Sequence, residues 1–199
     1  MQDPLSAKNR LDLPDAEILY YPHFLMHDEA DGLFTALLEN VPWQQDLITI
    51  FGKTHPQPRL TALYGNNSKT YSYSNIRMRP HPFTKELLAL KKKTEEIART
   101  GFSSCLLNLY RDGRDSNGWH ADNEKELGTD PIIASISLGQ ERYFHLKHRT
   151  CKEERHKLLL QHGSLLLMKG STQHHWLHQI PKTAKPLRKR INLTFRNIL

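Results

Sequence analysis

From residue 104 onward, apolar and polar residues alternate in short runs, the pattern of strands whose side chains point in turn to either face of a sheet. Strands are predicted at Ser104 to Tyr110, Ile132 to Leu138, Glu141 to His148, Lys157 to Leu160, Ser164 to Met168 and Arg190 to Arg196. Asp112-Gly113, Asn117-Gly118, Gly139-Gln140 and His162-Gly163 supply turns between them. Ahead of this region the period lengthens. Asp28 is placed to cap a helix running to about Glu39, with Leu33, Phe34, Leu37 and Leu38 as its apolar stripe. A second helix is expected from Pro82 to about Arg99, with Phe83, Leu87, Leu90 and Ile97 inward, the run Lys91 to Lys93 outward and Gly101 as its stop. Glu17 to Phe24 reads as a strand or an extended lead-in, and residues 1–15, polar and proline-containing, as loosely held. Together these elements predict an α+β domain, a double-stranded β-helix (jelly roll) with the N-terminal helices packed on one sheet.

The 199 residues suffice for one domain with a substantial core, and no repeat or low-complexity linker divides them. A net charge of +7 favours a polyanionic partner, since clustered Lys and Arg neutralise phosphates. The two cysteines, Cys105 and Cys151, have neither disulfide-framework nor zinc-ribbon spacing, so a reducing compartment is expected. No apolar run reads as a leader or a membrane span. The expectation is a soluble, cytoplasmic monomer with no membrane partner.

The candidate chemistry begins at His120-Ala121-Asp122. Two imidazoles and a carboxylate make the facial triad of a non-haem iron(II) site, which leaves positions open for oxidant and co-substrate. One residue between His120 and Asp122 lets both reach inward from a strand end, and the third ligand must come from a distant segment, where His174, His175 and His178 compete. Arg190 and Arg196 share one face of a strand, where they can hold a dicarboxylate through fork-shaped, charge-assisted hydrogen bonds. Asn108 and Tyr110 alternate on another strand, and Tyr71 and Tyr73 have the same spacing.

The order of these pieces resembles the AlkB family of iron(II) and 2-oxoglutarate-dependent dioxygenases, in particular its nucleic-acid-repairing members. The likeness runs from Ile48 to Ile198. Asn108-Leu109-Tyr110 matches the family's Asn-x-Tyr strand, His120-Ala121-Asp122 its metal dyad, and Trp176-Leu177-His178-Gln179-Ile180-Pro181 the segment of the distal histidine. Arg190-Ile191-Asn192-Leu193-Thr194-Phe195-Arg196 matches its closing Arg-x-Asn-x-Thr-x-Arg strand. The resemblance selects His178 as third ligand, with His175 as fallback. It implies Fe(2+) held by His120, Asp122 and His178, and 2-oxoglutarate bound by Asn108, Tyr110, Arg190, Asn192 and Arg196, with O2 as the other co-substrate. Tyr71, Tyr73 and His120 would sandwich a flipped base such as 1-methyladenine or 3-methylcytosine, and Glu124 would hydrogen-bond to it. The segment around Phe51, Lys53 and Arg59 resembles the part that enters the base stack, with Phe51 as wedge and Lys53 and Arg59 at the DNA. Arg77, Arg79 and Lys91 to Lys93 are further phosphate candidates.

These expectations divide the domain into residues 1–47, an N-terminal extension and helix, 48–80, a nucleotide-recognition segment, and 104–199, the catalytic core. The implied activity is oxidative demethylation of alkylated DNA, single- or double-stranded, releasing formaldehyde and succinate. The alternatives are an RNA or nucleotide demethylase of the same chemistry, a protein hydroxylase, and a non-catalytic binder of damaged nucleic acid.

Overall fold

The computed structural model describes residues 9–50, 52–66, 71–73 and 76–199, with residues 50, 71–73, 76 and 77 described by backbone alone. The first part comprises β1 (Asn9–Leu11), β2 (Glu17–Tyr21), α1 (His27–Asn40), the hairpin of β3 (Leu47–Ile50) and β4 (Lys53–Pro56), β5 (Leu60–Gly65), the hairpin of β6 (Tyr71–Tyr73) and β7 (Ile76–Met78), and α2 (Lys85–Ala98). The second comprises β8 (Ser104–Tyr110), β9 (Asn117–His120), β10 (Ile133–Gly139), β11 (Arg142–His148), β12 (Arg155–Leu160), β13 (Ser164–Lys169), the single turn α3 (Thr172–His175), β14 (Trp176–Ile180) and β15 (Arg190–Arg196).

Two sheets carry the site. The larger has the order β1-β2-β13-β10-β15-β8-β5, the smaller β12-β11-β14-β9, and the pairings are antiparallel. The central strands of the large sheet are buried at nearly every position because both faces are covered. Cys105, Leu107, Leu109, Ile191, Leu193 and Phe195 join Leu37 of α1 and Leu87 and Leu90 of α2 in one core. Their neighbours one residue away, Asn108, Tyr110, Arg190 and Asn192, turn to the opposite face and line a cavity closed by the small sheet. The jelly roll with helices on one sheet is the predicted architecture, and the period-two pattern explains which residues are core and which are site.

The helix ends differ from the reading of the sequence. α1 starts at His27 with no side-chain cap, and Asp28 lies inside its first turn beside Glu29, where negative charge favours the helix dipole. α2 starts at Lys85, because Thr84 accepts a hydrogen bond from the Leu87 amide, and it ends at Arg99 in the left-handed region, before Gly101. Residues 9–15 are pinned: β1 pairs with β2, and the Trp176 indole donates to the Pro14 carbonyl at 2.8 Å.

Candidate metal and co-substrate centre

The three expected ligands meet across the edge strand β9 of the small sheet, its neighbour β14 and the turn beyond β9. His120 ends β9 and faces His178 of β14 in the ladder, while a bulge follows toward Ile180. Their rings lie 4.2 Å apart edge to face, and Asp122 Oδ2 is 3.7 Å from His178 Nε2. One ligand atom from each of the three lies within 4.8 Å of the others. Two other His and Asp groups, Asp15-His148-His175 and His27-Asp31-His162, also gather at the surface. In both, however, one histidine, the buried His148 or the half-buried His162, accepts backbone N–H at Nδ1, which leaves the proton on Nε2 and no lone pair there for a metal. His175 falls in the first of these groups and not with His120 and Asp122.

Each expected ligand is prepared by its surroundings. His120 Nδ1 lies 2.7 Å from the Gly118 carbonyl, which can only accept, so the proton sits on Nδ1 and Nε2 keeps the lone pair, which accepts from Asn117 Nδ2 at 3.1 Å and would be released to a metal. His178 is sealed, with Phe144 stacked on its ring at 5.0 Å. Burial first, and then the neighbouring His120, push its pKa down to about 3, against the pull of Asp122, so the imidazole is neutral near pH 7. Burial alone would raise the Asp122 carboxyl, but Arg196, then His178 and His120, bring it below its usual value. Arg196 Nη2 donates to Asp122 Oδ1 at 2.6 Å, and Gln173 Oε1 accepts from the Asp122 amide at 2.9 Å.

At the cavity's other end Arg190 is 1% exposed and donates from Nη2 to Ser137 Oγ at 2.8 Å. Its Nε and Nη1 are buried without a hydrogen-bond partner, and no carboxylate among the described residues pairs with it. Burial pushes this guanidinium down to about 10, with Tyr110 pulling the other way, so it stays charged at neutral pH. The Tyr110 ring is flanked by Arg190 at 5.1 Å and Arg142 at 5.8 Å. A buried cation without an anion is costly, and an entering carboxylate would relieve that cost through two parallel hydrogen bonds. The residues therefore suit iron(II) at one end and the far carboxylate of a short dicarboxylate at the other.

Between the ends runs a polar ladder. Asn192 Nδ2 donates to Ser135 Oγ at 2.8 Å and to the Ile136 carbonyl, and its Oδ1 accepts from Thr194 and, at 3.4 Å, from Asn108. Asn192 thus lines the cavity with its amide already engaged, and it positions the ladder. Arg59, expected at the DNA, is anchored to the strand behind it. It is 4% exposed and points inward, donating from Nε to Asn108 Oδ1 at 2.8 Å and from Nη1 to the Ser116 carbonyl at 3.2 Å. Its Nε and Nη1 are thereby engaged, and the residue also lines an open hollow with Gln57 and Lys182.

Glu124 Oε2 is buried without a partner beside Asp122 and Arg196, and burial raises its carboxyl above the usual range. Lys53 stands exposed at the start of β4, next to the turn of the hairpin. Phe51 lies outside the described residues. Tyr71 and Tyr73 form β6, paired with β7, and their side chains are outside the description. Arg79 is exposed; Lys91 is half-buried and paired with Glu95, and Lys93 pairs with Glu29.

The sequence reading does not single out Ser137, Ser135, Gln173 or Phe144. The two serines do carry a signal: they stand two apart within the apolar run Ile133-Ala134-Ser135-Ile136-Ser137-Leu138, which marks a polar stripe on a buried strand. Gln173 carries none.

Comparisons with known proteins agree with this geometry. The family model described as the 2OG-Fe(II) oxygenase superfamily matches residues 17–196. The chain is 41% identical over 192 residues to the alpha-ketoglutarate-dependent dioxygenase alkB homolog 3 of Mus musculus, covering 92% of this chain and 66% of that protein, just under two thirds of its length. It is 36% identical over 181 residues to the DNA oxidative demethylase ALKBH2 of Mus musculus, covering 86% of this chain and 76% of that protein. The solved structure of OsALKBH1 superposes with a TM-score of 0.67 at 16% identity, over 96% of this chain and 99% of that one, and so shares the fold. The chain belongs to the 2OG-Fe(II) oxygenase superfamily and, within it, to the AlkB family of iron(II) and 2-oxoglutarate-dependent dioxygenases.

Proposed function

We propose that the protein is a DNA repair dioxygenase that removes methyl groups from alkylated bases, with His120, Asp122 and His178 holding Fe(2+) and Arg190 and Tyr110 receiving the far carboxylate of 2-oxoglutarate. The observation that carries this reading is the two-ended cavity: three ligand atoms within 4.8 Å at one end and two unpartnered guanidinium nitrogens at the other. Iron(II), when bound, supplies oxygen activation at the expense of 2-oxoglutarate, which leaves as succinate and carbon dioxide while the base's methyl group is hydroxylated and lost as formaldehyde.

The protein's own residues bind and orient. Gly118 fixes the His120 tautomer, and Arg196 and Gln173 hold the Asp122 segment. Ser137 aims Arg190, and Arg59 ties the segment before β5 to Asn108. Leu106, Ile133, Phe144, Leu160 and Met168 wall the cavity and exclude water from the reacting atoms. Bases such as 1-methyladenine and 3-methylcytosine carry a positive charge, and the buried carboxylate of Glu124 offers them a counter-charge beside the ligands.

Relatives that bear the names of DNA demethylases favour DNA over RNA. Turnover of one methylated sequence as single-stranded DNA, duplex DNA and RNA tests this, and a strong RNA preference would overturn it. A non-catalytic binder of damaged nucleic acid predicts unchanged product when Asp122 becomes alanine; this reading predicts its loss. The overall charge of +7 argues against a peptide substrate for a protein hydroxylase.

A further inference from the structure

The small sheet has a second face, turned away from the cavity. Along β11, Phe144, Leu146 and His148 are inward, so Tyr143, His145 and Lys147 point out. In β12, Lys157 pairs with His145 and Arg155 with Lys147, which brings their side chains to the same outer face. Trp119 of β9 joins them on the far side of the strand from the neighbouring His120: Lys147 Nζ lies 4.5 Å above its ring. Tyr143 is 55% exposed and Trp119 37%, two of the few large hydrophobic side chains the described protein leaves in solvent.

The charge on this face is of one sign. Lys147, Arg155 and Lys157 form no ion pair with any described residue, and they stand together on one face. The strand residues that face outward here include no Asp or Glu. The local potential is felt by His145, whose imidazole is pushed below its usual range by burial and then by Lys157. Aromatic rings beside unpaired cations suit a ligand that carries both phosphates and flat bases, because stacking needs no particular sequence. A purely acidic protein surface would use the cations and leave Tyr143 without a role.

We propose that the outer face of the small sheet, with Tyr143, Trp119, Lys147, Arg155 and Lys157, is a docking platform for single-stranded nucleic acid flanking the base that enters the cavity. It rests on the nucleic-acid reading above and adds to it a surface outside the cavity. Trp119 joins the two, since the next residue along the strand is His120. The edge strand β9 thus carries a platform residue on one face and a cavity residue on the other.

The test is binding of the full-length protein to a fluorescein-labelled, unmodified oligothymidylate, read by anisotropy across a range of salt. Replacing Tyr143 by alanine should weaken binding about tenfold, and Tyr143→Phe should restore it, because the ring and not the hydroxyl stacks. The triple variant Lys147→Gln, Arg155→Gln, Lys157→Gln should lower the slope of log affinity against log salt by about two, at roughly 0.7 for each phosphate that is no longer neutralised. Thermal melting of each variant checks that it is folded; all five positions lie at the surface, so a folded variant with wild-type affinity and slope would overturn the proposal. A reduced slope without any effect at Tyr143 would also overturn it, in favour of an acidic protein partner. Conversion of a methylated trinucleotide by the wild-type enzyme is measured alongside, since its failure would strike the demethylase reading and not the platform.

Discussion

Arg196 donates to Asp122 across 2.6 Å, and the two side chains are only 4% and 3% exposed. One residue closes the last strand of the large sheet and the other follows the edge strand of the small one, so this ion pair locks the two sheets together at the metal end of the cavity. Removing one member of a buried pair strands the other's charge. Arg196→Ala should therefore lower unfolding free energy by about 3–5 kcal/mol, measured by urea denaturation of the metal-free protein. A loss below about 1 kcal/mol, typical of an exposed pair, would show that the pair is not structural.

The pH dependence of the metal-free protein should report His178. Its imidazole is held neutral down to about 3 in the folded state, against an ordinary value of 6.5. Between these values the unfolded chain binds the proton and the folded one does not, so the contribution is complete above pH 6.5 and is lost as pH falls toward 3. The slope from this one group is at most about 1.4 kcal/mol per pH unit. Urea midpoints from pH 7 to 5 should fall for the wild type and fall less steeply for His178→Asn; equal slopes would contradict the burial of this group. The same substitution, or His178→Ala, should abolish iron retention, while His175→Ala retains it.

Co-substrate recognition is predicted to depend on how Arg190 is aimed. Ser137→Ala removes the one hydrogen bond that the charged Arg190 guanidinium donates to a side chain here, and should raise KM for 2-oxoglutarate by about tenfold with iron content unchanged. Arg190→Lys keeps the charge but loses the planar fork, and should raise KM roughly a hundredfold. Steady-state kinetics with iron content measured in parallel separates these effects from damage to the metal end.

Glu124 should act on the nucleic-acid substrate alone. Loss of its hydrogen bond to a cationic base is expected to lower kcat/KM for a 1-methyladenine oligonucleotide by roughly ten- to a hundredfold in Glu124→Gln, with KM for 2-oxoglutarate unchanged. Burial raises this carboxyl above its ordinary 4.5, so kcat/KM for the cationic base should climb with pH above that value in the wild type and lose this rise in the variant. An equal fall for both substrates would place Glu124 in the metal end instead.

The backbone itself constrains the Arg190 end. Gly139 sits opposite Arg190 in the ladder at a φ of +81°, and a Cβ there would lie 2.6 Å from the Lys189 carbonyl and from Phe34. Gly139→Ala should cost about 1–3 kcal/mol, read as a lowered denaturation midpoint.

Much of this arrangement is legible in the sequence because burial and chemistry share one period. The strands Ser104–Tyr110 and Arg190–Arg196 have the bounds that alternation predicts, and the same alternation puts Asn108, Tyr110, Arg190 and Asn192 on the cavity face. Where both faces are covered the signal fades: Leu60–Gly65 is a largely apolar run buried at its centre, and alternation does not mark it as a strand. Trp176–Ile180, which carries His178, is obscured by the imidazole-rich turn before it. Arg59 shows a different limit. Its charge suggests phosphate, but charge does not reveal direction, and its acceptor Asn108 is 49 positions away.

The central claim is that the two-ended cavity joins iron chemistry to a methylated base, and the most direct test is mass analysis of one reaction. The protein is loaded anaerobically with iron(II) and 2-oxoglutarate, then given oxygen and an oligonucleotide carrying 1-methyladenine. Loss of one methyl mass that requires iron, 2-oxoglutarate and oxygen together, and that disappears in Asp122→Ala, is the predicted result. An unchanged oligonucleotide from protein that has demonstrably bound both iron and 2-oxoglutarate would contradict the account.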